Sequence, residues 1–154
     1  MARLNRRDFV AATAGSVALV VLGSEQVSAH PAADEKATVD IGKPADYPAG
    51  AFSDKFAKRD KLLVAHTGGK LYALTAVCPH RKGTLAVKNG EFGCPRHGSL
   101  FSVDGKVVKG PAKKPLARFG IALNSAGNLI VDKSMVFDED KWDDPRAFFS
   151  VKTS

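Results

Sequence analysis

Cys78-Pro79-His80 and Cys94-Pro95-Arg96-His97-Gly98-Ser99 concentrate the donor chemistry of this chain. They hold both of its cysteines and two of its four histidines, and thirteen residues separate His80 from Cys94. Thiolates are soft donors suited to iron–sulfur clusters, and imidazole suits iron as well as zinc. Two thiolates and two imidazoles, paired as C-x-H and C-x-x-H, can hold an iron–sulfur cluster of mixed ligation, with two cysteines on one iron and two histidines on the other. A Cys2His2 zinc site is the alternative, although its pairs usually need two or more intervening residues. Ligands so close in sequence point the same way only on a tight turn, and Pro79, Pro95 and Gly98 supply turn geometry. The other histidines carry no ligand role: His66 falls mid-strand, and His30 begins a linker.

The elements that must position these loops are short strands and tight turns. Thr38–Ile41 alternates weakly, and a Pro/Gly-rich loop follows it. Leu62–Thr67, Gly68-Gly69 and Leu71–Val77 predict a hairpin whose second strand delivers Cys78. Glu91–Gly93 predicts a short strand that delivers Cys94. Leu100–Val103 and Lys106–Val108 predict a second hairpin across Asp104-Gly105. The Gly110–Pro115 stretch cannot continue a strand, because proline removes ladder donors. Ala117–Leu123 and Asn128–Asp132 predict a third hairpin. No sustained helical period runs through 36–133, so the expected fold is all-β, built of small antiparallel sheets with the ligands on loops. The tail, 134–154, mixes Phe137, Trp142, Phe148 and Phe149 with five acidic residues between 138 and 144. It reads as a segment packed on its own domain or as a partner-docking segment.

At 154 residues there is room for one domain, and 44% hydrophobic with 25% charged residues is ordinary for a globular protein. Residues 1–29 hold Arg3, Arg6 and Arg7 against Asp8 and Glu25, so +6 of the formal +7 belongs to the rest. No Lys/Arg block alternates with stacking aromatics, which argues against nucleic acid as a partner.

Residues 78–85 (CPHRKGTL) and 94–101 (CPRHGSLF), with Gly110-Pro111-Ala112, resemble a Rieske [2Fe-2S] domain over roughly 36–133, the cluster-binding part being about 76–112. The resemblance implies one [2Fe-2S] cluster held by Cys78, His80, Cys94 and His97, in a Rieske-type fold with a cluster-binding loop subdomain. The spacing between the two ligand pairs is slightly shorter than is common in the family. By the same resemblance Ser99 donates its hydroxyl to a bridging sulfide and raises the potential, and Gly98 and Pro111 shape the surrounding loops. Quinol-oxidising members carry a tyrosine where this chain has Phe101. They also carry a disulfide between the places that here hold Gly83 and Arg96. The resemblance therefore implies a potential below that of those members.

The first residues read as an export signal: three arginines, an uncharged run from Phe9 to Ser24, and the small-residue pattern Val27-Ser28-Ala29. The run is short for a membrane helix. Asn5-Arg6-Arg7-Asp8-Phe9-Val10 resembles the twin-arginine signal, which implies folded, cluster-loaded export to the periplasm. An ordinary signal or an uncleaved membrane anchor are the other readings, with 30–35 as linker or tether. No cysteine near the end of the run allows lipid attachment.

The function expected is an exported one-electron carrier, free or as the small subunit of a periplasmic oxidoreductase. The exported small subunit of arsenite oxidase has a similar plan. No catalytic residue or substrate site of its own is evident. The partner would be a c-type cytochrome or a larger oxidoreductase subunit, with Lys106, Lys109, Lys113 and Lys114 steering an acidic one. The alternative is the Rieske subunit of a membrane quinol–cytochrome c reductase. A ferredoxin feeding a cytoplasmic dioxygenase conflicts with the signal, and a complete dioxygenase exceeds the available length. A structural metal module would hold zinc.

Overall fold

The computed structural model describes residues 37–152, and the export signal and linker expected at 1–35 lie outside them. Two antiparallel sheets carry the described chain. The larger contains β1 (Thr38–Gly42), β2 (Phe52–Ser53), β3 (Leu62–Thr67), β4 (Lys70–Thr75), β9 (Arg118–Leu123), β10 (Leu129–Phe137) and β11 (Phe149–Ser150). Its order is β1-β10-β9-β4-β3-β2, with β11 added against β4. The smaller contains β5 (Ala86–Lys88), β6 (Glu91–Gly93), β7 (Leu100–Phe101) and β8 (Val107–Lys109), in that order. A single helical turn, α1 (Ala57–Asp60), precedes β3. The fold is all-β in its sheets, as expected. Among the described residues no helix is long and apolar enough to cross a membrane.

The β3–β4 hairpin is the shared wall. Its side chains alternate between faces with period two, and both faces are covered, which explains its nearly unbroken apolar sequence. Leu62, Val64, Leu71 and Ala73 enter a core with Val39, Ile41, Ile121, Leu129 and Val131. Leu63, Ala65, Tyr72 and Leu74 enter a second core with Leu85, Phe92, Phe101 and both cysteines. The site is therefore seated on the same packed layer that holds the two sheets together. Truncating fully buried Phe92 to alanine would cost about 3–5 kcal/mol.

The sequence-based boundaries shift in definite places. β4 ends at Thr75, whose Oγ1 accepts the Val77 N–H, and the approach to Cys78 continues through a Val77–Thr84 bridge. The expected two-residue turn at Asp104-Gly105 is a wider connection, 102–106, between shorter strands. Ser102 closes it through its backbone and its Oγ, and at Gly105, with φ +97, a Cβ would lie 2.7 Å from Leu74 Cδ2 and 3.4 Å from Leu116 Cβ. β5 pairs with β6 across Asn89-Gly90, both at positive φ. Asn-Gly is a strong hairpin signal, yet the sequence reading placed only β6. β10 runs on to Phe137 through a bulge at 132–136, where the Asp132 carboxylate caps Ser134.

The tail packs on its own domain. Phe149 and Ser150 extend the larger sheet, and Phe137, Trp142 and Ala147 form a third small core. Arg118, only 5% exposed, lies between Tyr72 and Trp142 with its guanidinium carbon 4.1 Å and 4.0 Å from the two ring centres. Its Nη2 donates to the Asp104 carbonyl at 2.8 Å, so one residue ties the larger sheet, the 102–106 connection and the tail together. Burial lowers its pKa from the ordinary value, and Tyr72, Asp104 and Asp143 oppose that.

Candidate metal centre

The two ligand loops are built on one plan. In 78–83 the Cys78 N–H donates to the Gly83 carbonyl at 2.8 Å and the Lys82 N–H to the Cys78 carbonyl at 2.9 Å. In 94–99 the Cys94 N–H donates to the Ser99 carbonyl at 2.8 Å and the Gly98 N–H to the Cys94 carbonyl at 3.0 Å. The fifth residue of each loop is left-handed: Lys82 at φ 56 and Gly98 at φ 77. Glycine takes that conformation freely, whereas for lysine it costs about 1 kcal/mol. Each loop begins at a buried cysteine and exposes its histidine, third in the first loop and fourth in the second.

The loops thus sort the donors by depth. Cys78 and Cys94 are 0% and 4% exposed and are free thiols. Burial pushes the Cys78 thiol above its ordinary pKa, and a hydrogen bond with the Cys94 thiol adds to this. The backbone N–H groups of His80 and Arg81 pull it the other way. Two thiolates facing each other in an apolar pocket need a cation between or beside them. At the surface, the His80 and His97 ring centres are 5.0 Å apart at 86°. Among the described residues no three His, Cys, Asp or Glu side chains converge on a single ion. The donors form two pairs, sulfur inside and nitrogen outside, which is what a two-iron cluster of mixed ligation requires.

A third loop completes the surroundings. Ser99, fully buried, accepts the Ala112 N–H at its Oγ at 3.0 Å, which leaves the hydroxyl proton to point elsewhere. The backbone at 110–112, with a cis Gly110–Pro111 bond, thereby holds Ser99 from behind. Sequence reasoning picked out Ser99 and Pro111 but not the hydrogen bond that joins their loops. Phe101 is fully buried in the core that also holds both cysteines, and Gly98 has open space where a Cβ would be. A Cβ on Gly83 would lie 3.0 Å from Cys94 Sγ and 3.1 Å from Arg96 Cδ, so the Gly83 and Arg96 positions are neighbours across the two loops. The larger sheet's connections hold the site through Asp54, after β2, which accepts the Val87 N–H at 2.9 Å, and through Lys61, before β3, which donates to Thr84 Oγ1 at 3.3 Å. His66 is packed, its Nδ1 2.7 Å from the Tyr47 carbonyl, and takes no part in the site.

Residues 37–120 match the model of the Rieske [2Fe-2S] domain. The chain is 29% identical over 93 residues to the cytochrome b6-f complex iron-sulfur subunit of Chlorobaculum tepidum, covering 59% of this chain and 51% of that one. It is 38% identical over 72 residues to the carotenoid phi-ring synthase of the same organism, covering 46% of this chain and 11% of that one. The chain spans about half the length of the b6-f subunits of Chlorobaculum that it matches. Among solved structures it is similar to the cyanobacterial plasma membrane Rieske protein PetC3 from Synechocystis PCC 6803, at 28% identity and a TM-score of 0.44, covering 61% of this chain and 98% of that one. With paired donors on matched loops and the family model spanning more than half of its length, the chain belongs to the Rieske [2Fe-2S] domain family and takes one [2Fe-2S] cluster.

Proposed function

We propose that this protein is an exported one-electron carrier whose cluster is held by Cys78 and Cys94 on the inner iron and by His80 and His97 on the outer one. The observation that carries this reading is the sorting of donors by depth, with both sulfurs buried and both imidazoles exposed. The bound cluster supplies a reversible one-electron couple. The chain does the rest. The buried cysteines exclude water from the inner side, and the exposed rings of His80 and His97 offer a partner the shortest path. Ser99, held by Ala112, has a hydroxyl proton to give to a sulfide, and Arg81 and Arg96 add positive charge beside the ligands. Each of these favours the reduced form. The Arg6-Arg7 signal supports delivery to the periplasm in the folded state, and the partner would be a c-type cytochrome or a larger oxidoreductase subunit.

The similarity to cytochrome b6-f iron-sulfur subunits favours a second reading, the Rieske subunit of a quinol-oxidising membrane complex. Phe101 and the Gly83–Arg96 pair weigh against it, since members of that class carry a tyrosine and a disulfide there. Fractionating the native cells, with N-terminal sequencing, separates the two. The carrier reading expects soluble periplasmic protein with a shortened N-terminus. Membrane retention with an uncut N-terminus contradicts it and supports the second.

A further inference from the structure

The surface around the exposed imidazoles bears on what docks there. Arg81 and Lys82 follow His80, Arg96 precedes His97, and Lys109, Lys113 and Lys114 flank the proline loop; all six are exposed. Between residues 76 and 118 the only acidic residues are Glu91 and Asp104. The described residues form ion pairs at Arg59–Asp60, Lys106–Asp104 and Arg146–Asp144, and none of the six cations belongs to one. Lys106, which sequence alone groups with the other lysines, drops out. It pairs with Asp104 at 3.4 Å, on the connection at the far end of the β7–β8 hairpin from Ser99 and Ala112. On the Lys114 side the face is bounded, because Asp138, Glu139 and Asp140 share a cleft of about 520 Å3 with Lys114 and Pro79. Unpaired like charges on one face repel one another and attract a partner of opposite sign.

We propose that the cationic face of Arg81, Lys82, Arg96, Lys109, Lys113 and Lys114 around His80 and His97 docks a redox protein whose own electron-entry site is ringed by carboxylates. This rests on the electron-carrier reading. A protein fits better than an anionic membrane, because Arg81, Lys82 and Arg96 adjoin the exposed imidazoles in the chain, Lys114 shares a cleft with Pro79, and Lys109 pairs with Leu100 next to Ser99. Of the exposed large apolar residues Val108, Leu123 and Val136, only Val108 belongs to the smaller sheet, so little is available for insertion.

The test is stopped-flow oxidation of the dithionite-reduced, full-length protein by ferricyanide, a trianion, and by tris(phenanthroline)cobalt(III), a trication. Each takes one electron from the protein and transfers no atom, giving ferrocyanide or the cobalt(II) complex. Raising salt from 0.01 M to 1 M shrinks the screening length from about 30 Å to about 3 Å. The ferricyanide rate is expected to fall with salt and the cobalt rate to rise. At low salt, Arg96→Glu/Lys113→Glu should slow ferricyanide by about tenfold, the low end of electrostatic steering. Lys43→Glu/Lys152→Glu, which changes net charge equally on the larger sheet's flanks, should alter it less than about twofold. Equal effects of the two variants, or equal salt slopes for the two reagents, would overturn the proposal by reducing it to net charge. Sedimentation with phosphatidylglycerol vesicles at physiological salt, lost in the Arg96→Glu/Lys113→Glu variant, would overturn it in favour of a membrane. Protein without iron and sulfide would overturn both this proposal and the carrier reading, whereas a loaded protein indifferent to charge overturns this one alone.

Discussion

Ser99 shows how much a single buried hydroxyl can do here. It accepts from Ala112 and has its own proton to give, so Ser99→Ala removes a donor and strands a backbone N–H. The stranded group should cost about 1–3 kcal/mol, and loss of the donor should lower the midpoint potential in a redox titration. Phe101→Tyr is expected to move the potential upward, because it introduces the hydroxyl that quinol-oxidising members carry there, in the core that holds both cysteines. Opposite shifts from these two variants would establish that hydrogen bonding sets the potential; no shift from either would remove Ser99 from that role. The candidate ligands stand out in the sequence because cysteine and histidine are rare and Pro79, Pro95 and Gly98 mark turns beside them. The left-handed Lys82 does not, since nothing about lysine announces that conformation; only the finished loop, matched to Gly98 in its partner, does.

At the scale of elements, the β3–β4, β7–β8 and β9–β10 hairpins were readable from alternation and turn residues, and the β5–β6 hairpin carried an unread Asn-Gly signal. What pattern could not show is long-range: Arg118 between Tyr72 and Trp142, or Asp54 bonded to Val87, since neither leaves a local trace. Trp142→Ala should cost about 3–5 kcal/mol in denaturant unfolding. Trp142→Phe should cost much less, because the ring stays and the removed Nε1–H has no partner. Similar losses from both would mean that the stack on Arg118 is not what holds the tail. Tyr47 makes an alkaline prediction. Burial, with Asp46 and Asp40 nearby, raises its pKa to about 12. The unfolded value is about 10, so its contribution is complete below pH 10 and is lost as pH rises through 12. Tyr47→Phe forfeits the 2.7 Å hydrogen bond to the Ile41 carbonyl, worth about 1 kcal/mol at neutral pH. It should also flatten the fall in stability between pH 10 and 12, followed by circular dichroism. An unchanged alkaline profile would assign that fall to other groups.

For the whole molecule, two sheets share one packed wall, and that wall carries the cysteines at the point where the smaller sheet meets the larger. The result is an asymmetric site, with sulfur on the buried side and ring nitrogen on the exposed side. The most direct test is pulsed EPR of the dithionite-reduced protein, read for hyperfine coupling to histidine nitrogen. The expected result is one paramagnetic cluster per chain coupled to two inequivalent ring nitrogens, one of which vanishes in His97→Cys along with a strong downward shift in potential. A cluster without nitrogen coupling, or no paramagnetic centre in protein matured with full cluster-assembly machinery, would contradict it.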